Sequence, residues 1–285
     1  MTRVTAIHRY PVKSMAGESL ETTPLGERGL PGDRAWAVRD EVRGGIRGAK
    51  KIPALMACAA RYEKPPPAEG SAAATVTLPD GSELSTTDPD AGARISAAVG
   101  HEVSLWPLRP AEDAEHYRRG APDHEDMETE LRAIFSRNPD EPLPDLGRFP
   151  PEILMNESPP GTYFDAYPLL VLSRQSLARM GELAPGSRFD VRRFRPNLVV
   201  DLPDAAQPFP EMAWEGKRIR IGGAVLEATI ACPRCVMTTH GFADLPKDPK
   251  IMRALVQNAG GNLGVYATVV EPGEVRVGDA IEAWV

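Results

Sequence analysis

Cysteine is scarce in this sequence of 285 residues, which contains three: Cys58, Cys232 and Cys235. An odd number this small cannot build the disulfide framework of a secreted scaffold, so the cytoplasm is the expected compartment. No run of residues approaches the roughly 20 apolar residues of a membrane span. The N-terminal segment also lacks the apolar stretch of a signal peptide. We therefore expect no membrane association.

An excess of positive charge is also missing. The 33 Lys and Arg residues face 40 Asp and Glu residues, which gives a net charge of −7. Such a chain does not adhere to nucleic acid through its overall charge, so we expect no nucleic-acid partner and any basic site must be local. Aromatic residues make up 6%, whereas 25 glycines and 29 prolines predict many turns and argue against a helical bundle.

Short strands separated by turns characterise the first hundred residues. β-Rich runs at 4–10, 35–38 and 74–78 predict strands, and Asp88 can cap a helix that ends at Gly100. Residues 108–162 differ, because proline and charged residues dominate and only 128–135 reads as helix. Such a stretch is either a functional lid or a mobile linker, and its composition favours the linker.

Regular structure resumes near residue 167. The pattern predicts strands at 169–172, 198–200, 263–270 and 275–284, and a hairpin over 218–230 that folds at Gly222 and Gly223. Helices are expected over 248–257 and from the cap at Ser173 to Leu183, with Leu177, Met180 and Leu183 on its apolar face. The predicted fold class is mostly β with some α, an α+β protein.

The sharpest local motif is Cys232-Pro233-Arg234-Cys235. It is compatible with half of a zinc site completed by Cys58 and His240, with a thiol redox couple, or with one thiolate ligand of a soft transition metal beside an arginine that pairs with an anion. The spacing alone does not decide among these three. Cys58, in an apolar run, is most simply a small buried hydrophobe.

Basic side chains recur at the predicted ends of strands in this acidic chain. Lys13 and Ser14 follow the first strand, Arg34 precedes another, and Arg192, Arg193 and Arg195 precede a third. Each cluster alone is typical of a solvated surface. Their recurrence at strand ends predicts that the fold brings some of them to one rim, where an anion could bind.

Five motifs in order resemble those of a MOSC-domain protein with an N-terminal β-barrel domain. They are YPVKS at 10–14, GDRAW at 32–36, LSRQSL at 172–177, FRPN at 194–197 and CPRCVMTT at 232–239. The chain is most similar to the amidoxime-reducing component group and its bacterial relatives. The resemblance implies an N-terminal β-barrel-like domain over 1–100, a Pro-rich irregular connection over 101–160 and a MOSC core domain, a β-barrel with a few helices, over 161–285.

The resemblance further implies a molybdenum cofactor carried by molybdopterin. Cys235 would be the thiolate ligand of the metal, and Asp165 would orient a substrate or a proton. The residues implied to hold the pterin and its phosphate are Lys13, Ser14, Arg34, Arg195, Asn197 and Arg234. One departure is Tyr167 before Pro168, where some amidoxime-reducing members carry a serine.

The activity implied by this resemblance is the two-electron reduction of N-hydroxylated or N-oxide small molecules with release of water. No four-cysteine set is available for an iron-sulfur cluster, so a separate ferredoxin or flavin reductase is the expected electron donor. Two alternatives stay open. One is a module that carries the cofactor or transfers sulfur without turnover, and the other is a thiol oxidoreductase that uses Cys232 and Cys235.

Overall fold

The computed structural model describes residues 2–202 and 207–284. The strands in these ranges are β1 (Arg3–Arg9), β2 (Glu18–Leu20), β3 (Thr22–Leu25), β4 (Trp36–Asp40), β5 (Ala59–Arg61), β6 (Thr75–Thr77), β7 (Glu83–Ser85), β8 (Val103–Pro107), β9 (Leu169–Ser173), β10 (Leu198–Asp201), β11 (Arg218–Ile221), β12 (Ala224–Pro233), β13 (Asn262–Glu271), β14 (Gly273–Arg276) and β15 (Ile281–Trp284). The α-helices are α1 (Ala91–Val99), α2 (Ala114–Tyr117), α3 (Met127–Phe135), α4 (Glu152–Met155), α5 (Arg174–Leu183), α6 (Val191–Phe194) and α7 (Lys250–Ala259). No helix in the described ranges combines the length and apolarity needed to cross a membrane.

An eight-stranded sheet forms the centre of the molecule, in the order β15-β11-β12-β13-β9-β10-β1-β2. Strand β9 is buried along its whole length because both faces of the sheet are covered there. Leu169 and Val171 join a core with Ile7 and Leu198 on one face, whereas Leu172 packs with α5 and α7 on the other. The first strand of the chain is thus built into a sheet whose other central strands come from residues 169–284.

The N-terminal residues add smaller antiparallel sheets. Strand β4 pairs with β8, β5-β6-β7 form a three-stranded sheet, and β3 pairs with β14. The first two sheets enclose a second core that includes Val38, Leu55, Val76 and Ile95. This arrangement confirms the predicted fold class, a mostly β, α+β protein with a β-rich N-terminal part. The exact domain boundaries stay a prediction.

Most predicted elements of the second half are confirmed, including the cap of α5, where the Ser173 side chain accepts a hydrogen bond from the Ser176 backbone N–H. The single strand predicted over 275–284 is wrong. It is two strands, β14 and β15, which pair with β3 and β11 respectively. A turn divides them at Gly278, whose φ of 97° is a left-handed backbone conformation that suits glycine.

The connection over 108–162 is not the free linker that its composition favours. It contains α2, α3 and α4 and is fixed to both halves of the molecule by charged groups. The Lys51 ammonium donates a hydrogen bond to Glu130 of α3, and Arg253 of α7 donates to Glu141 and to the Ser136 carbonyl. The charged residues that made this stretch look solvated are therefore the groups that anchor it.

Truncation of a central core residue tests this architecture. Leu198→Ala removes a fully buried side chain between β1 and β9 and should lower the free energy of unfolding by about 2–5 kcal/mol. Urea unfolding followed by circular dichroism measures the change. Val42→Ala, at a residue that is 63% exposed, is the control and should change stability by less than about 0.5 kcal/mol. Equal effects of the two variants would contradict the assigned core.

Candidate functional site

A cavity of about 580 Å³ lies where the loop after β1, the connection and the loops around β9, β10 and β12 meet. The structure brings all the predicted site residues to its wall: Lys13, Ser14, Arg34, Asp165, Arg195, Asn197, Arg234 and Cys235. These residues span more than two hundred positions of the sequence. Their convergence on one cavity agrees with the expectation that strand ends share a rim, whereas the role of each residue toward a ligand stays a prediction.

The loop after β1 contributes a buried cation. The Lys13 ammonium donates hydrogen bonds to the Tyr163 carbonyl at 2.8 Å, to Asp165 Oδ1 at 3.0 Å and to Ser158 Oγ at 3.3 Å. Burial lowers the Lys13 pKa, and the neighbouring Asp165 carboxylate acts in the opposite direction. The next residue, Ser14, accepts a hydrogen bond from the Ala49 backbone N–H at 2.9 Å.

Three residues of the cavity have left-handed backbone conformations that non-glycine residues rarely adopt. The φ angles are 70° at Ser14, 50° at Arg34 and 54° at Arg195. Each such conformation costs of order 1–3 kcal/mol and persists only where surrounding contacts enforce it. At Arg195 the enforcing context is the end of α6, where the Arg195 N–H donates to the Val191 carbonyl. Three of the predicted site residues thus have a backbone conformation that surrounding contacts must enforce.

Two of the cavity arginines lie close to the ring of Tyr10. The Arg195 guanidinium carbon is 4.1 Å from the centre of this ring and that of Arg34 is 5.1 Å away. Cation–π attraction of this kind offsets part of the repulsion between two nearby guanidinium groups. The Tyr10 hydroxyl donates to the Pro196 carbonyl at 3.1 Å, so the ring is held by the same segment that carries Arg195.

Several guanidinium nitrogens in the cavity wall are buried without a hydrogen-bond acceptor among the described residues. They are Nη2 of Arg195 and both Nε and Nη2 of Arg234. Burial lowers the Arg195 pKa to about 10. Buried donors that lack acceptors are costly to the fold, and an anion in the cavity would satisfy them.

Asn197 and Arg34 are linked through a buried carboxylate. The Asn197 amide donates to Asp33 Oδ2 at 3.1 Å, and Arg34 donates to the same oxygen. Asn197 Oδ1 also accepts a hydrogen bond from the Leu170 backbone N–H at 3.2 Å. Most of the hydrogen-bonding capacity of Asn197 is therefore used inside the protein, where it fixes Asp33 and hence Arg34.

The arginine cluster before β10 divides into three different environments. Arg192 is partly exposed and pairs with Asp190 and Asp244. Arg193 is fully buried and donates to the carbonyls of Thr238, His240 and Pro246, which clamps the loop after Cys235. Of the three, only Arg195 has a buried nitrogen at the cavity that finds no acceptor in the described part of the chain.

The two cysteines of the Cys-Pro-Arg-Cys motif are not equivalent. Cys232 is fully buried on β12, whereas Cys235 is partly exposed to the cavity and caps a short 3-10 helix over Val236–Thr239. Burial raises the pKa of the Cys235 thiol, and the nearby Lys50 ammonium acts in the opposite direction. Cys235 is thus the thiol that a ligand in the cavity could reach.

Asp165 is held by two ammonium groups. Its Oδ1 lies 3.0 Å from Lys13 Nζ and 3.2 Å from Lys50 Nζ. Burial of the carboxyl opposes ionisation, but Lys13 and Lys50 hold the Asp165 pKa well below its usual range. Its side chain is 44% exposed, so the carboxylate remains accessible from the cavity.

Sequence reasoning did not identify Lys50 as a site residue. It reaches the cavity because Ala49 and Met56 pack against Met237 and Phe242, which brings the 49–56 segment beside Cys235. The available signal was the basic pair Lys50-Lys51 after Gly48, in a loop with no predicted strand. Nothing in that local pattern distinguishes it from a solvated surface pair.

The alternative metal site considered from the sequence is not assembled. Within residues 2–202 and 207–284, no three side chains of histidine, cysteine, aspartate or glutamate come close enough to share one ion. Cys58 is buried in the core of the N-terminal sheets, as expected for a small apolar residue.

Comparisons with known proteins match both halves of the chain. A family model described as the MOSC N-terminal beta barrel domain matches residues 1–114, and one described as the MOSC domain matches residues 159–282. The mitochondrial amidoxime reducing component 2 of Bos taurus is 27% identical over 132 residues, and its Homo sapiens counterpart is 31% identical over the same length. Each alignment spans 42% of this chain and only 38% of the relative. The solved YUAD protein of Bacillus subtilis is 14% identical with a TM-score of 0.44, and covers 99% of this chain and 96% of its own.

Alkylation of the thiols tests the contrast between the cysteines. With iodoacetamide, the native protein should be modified at Cys235, and the rate should rise with pH because burial raises the pKa of this thiol. Cys58 and Cys232 are fully buried and should react only after unfolding in urea. Peptide mass spectrometry measures each site, and modification of Cys232 as fast as Cys235 in the native protein would contradict the assignment.

Proposed function

Because this chain is a MOSC-domain protein with a MOSC N-terminal β-barrel domain, we propose that it binds a molybdenum pterin cofactor in the cavity around Cys235. We further propose that it reduces N-hydroxylated or N-oxide small molecules. Two electrons and two protons convert the N–O group to the amine or amidine and one water. The names of the curated relatives support this reaction class, and the cavity chemistry supports the cofactor.

The observation that carries the proposal is the donor set of the cavity. An accessible thiol suits a soft metal, and the unpaired guanidinium nitrogens of Arg195 and Arg234 suit a phosphate. Both donor types belong to one cavity in a chain of net charge −7. The residues present therefore fit a cofactor that combines molybdenum, sulfur and a phosphate-bearing pterin.

Different residues would bind different parts of the cofactor. Cys235 would ligate the metal, Arg195 and Arg234 would bind the phosphate through their free nitrogens, and Ser14 would contribute its hydroxyl. Arg34, kept in place by Asp33, adds a further guanidinium at the wall. Lys13 and Asn197 are largely engaged with protein groups, so we assign them to positioning their neighbours.

When bound, the cofactor supplies the two-electron chemistry, and the protein supplies binding, orientation and electrostatics. Asp165 remains ionised beside two ammonium groups, which makes it an acceptor for the N–H or O–H groups of a substrate. Lys50 holds one Asp165 oxygen and is a proton-bearing group on the same wall as Cys235. Electrons would come from a separate ferredoxin or flavin reductase.

Metal content tests the proposal. The wild-type protein expressed in a host that makes the pterin should contain molybdenum in near-stoichiometric amount. Cys235→Ala should lose most of it because the protein thiolate is gone, whereas the matched variant Cys232→Ser should keep it. Inductively coupled plasma mass spectrometry gives the metal, and oxidised-pterin fluorescence gives the organic part.

Turnover then separates the possible functions. With reduced viologen as donor, the proposed enzyme should convert an amidoxime to the amidine. Cofactor without turnover, together with transfer to an apo-molybdoenzyme, would instead identify a carrier module. Metal-independent reduction of insulin disulfides that is lost in both cysteine variants would identify a dithiol enzyme, and either result would overturn the proposed reduction.

Asp165→Asn tests the role of the carboxylate. The variant keeps the size of the side chain but loses the charge, so kcat/KM should fall by about 10- to 100-fold, because a hydrogen bond to a charged group is worth about 1.5–3 kcal/mol. Its molybdenum content should remain close to wild type, because the phosphate and metal ligands are unchanged. A parallel loss of molybdenum and activity would show that Asp165 serves the cofactor site instead.

A further inference from the structure

Three aromatic rings form a continuous row along one wall of the cavity. The ring centres of Phe149 and Tyr167 are 6.4 Å apart, and those of Tyr167 and Tyr266 are 5.5 Å apart. All three residues line the cavity. They come from the connection, the loop before β9 and strand β13, so the row runs from the connection toward the neighbourhood of Cys232. We call these three residues the aromatic row.

The connection extends this wall with aliphatic side chains. Six of them line the same cavity: Met127, Leu131, Ile134, Leu146, Ile153 and Leu154. Two are strongly exposed, with Met127 at 64% and Leu154 at 51% of their maximal accessible area. Eight of the nine Lys and Arg residues that line the cavity lie outside the connection, with Arg119 as the exception. The connection therefore supplies mainly apolar surface, whereas most of the positive charge comes from other segments.

We propose that the aromatic row and the connection determine substrate specificity by binding the body of an N-hydroxylated substrate that is planar and apolar, such as an aryl amidoxime. This inference rests on the proposed function. Asp165 lies two residues from Tyr167 on the same loop, so a polar N–OH head at Asp165 and Cys235 would leave the rest of the molecule against the rings. Planar bodies gain most from this wall, because aromatic surfaces stack in offset or edge-to-face geometry.

Tyr167 is the central member of the row. It stands two residues before the buried strand β9 and immediately before Pro168. A ring at this position supplies apolar surface that a serine hydroxyl cannot, and it touches the ring on each side of it. Tyr167 is therefore expected to affect the affinity for the substrate body more than the retention of the cofactor.

Two substrates with the same head and different bodies test the inference. The assay uses the molybdenum-loaded protein with reduced viologen. The kcat/KM for benzamidoxime should be at least about tenfold above that for acetamidoxime, mainly through a lower KM. The reason is the free energy gained when the apolar surface of the phenyl ring is buried. Phe149→Ala and Tyr167→Ser should each reduce this ratio several-fold. Tyr167→Phe keeps the ring and should preserve the ratio. Val42→Ala, at an exposed residue that does not line the cavity, is the unchanged control.

The outcomes separate the inference from the proposed function. Wild-type protein that is active on both substrates without preference would overturn the inference and leave the function standing. Loaded protein inactive on both would overturn the function and the inference with it. Equal losses on both substrates in Tyr167→Ser, with less molybdenum, would show that the ring serves the cofactor and would also overturn the inference. Direct titration of benzamidine against the protein, followed by intrinsic fluorescence, gives a readout independent of turnover and should weaken in Phe149→Ala.

Discussion

The ammonium of Lys13 ties together parts of the chain that are 150 residues apart. A buried charge is tolerated only when it is paired and hydrogen-bonded, and Lys13 finds its partners in the Tyr163 carbonyl, Asp165 and Ser158. These contacts fix the loop after β1 against the segment before β9. The position of Asp165 and the closing of the cavity on that side depend on this pairing.

The arginines in the rest of the cavity wall differ from Lys13. The protein holds their guanidinium groups in place but does not fully neutralise them. Arg34 and Arg195 both contact the Tyr10 ring, and Arg234 contacts the Phe194 ring. Three guanidinium nitrogens of Arg195 and Arg234 have no acceptor among residues 2–202 and 207–284. Burying such donors without acceptors opposes folding, and the left-handed backbone at Arg195 adds to that cost. These features suit an anion in the cavity, which is the physical basis of the cofactor proposal.

The sequence was sufficient to predict the fold class and most strands and helices, because the β-rich run at 4–10 and the cap at Ser173 are local signals. The convergence of Lys13, Arg34 and Arg195 was predictable because strand ends share a rim. Lys50 was not, since it reaches Cys235 only through packing of the 49–56 segment against residues 237–245. The ordering of the 108–162 connection was missed because its charges find partners in distant elements such as α7.

The pairing of β1 with β10 determines how a fragment of this protein would behave. A fragment limited to residues 161–285 would lack β1 and would present β10 as a bare edge with unpaired N–H and C=O groups. Such edges recruit strands from other molecules, so the fragment would be prone to self-association. Refolding studies, domain grafts and isotope-labelled segments should therefore supply residues 3–9 together with the C-terminal half, either in one polypeptide or as a complementing peptide.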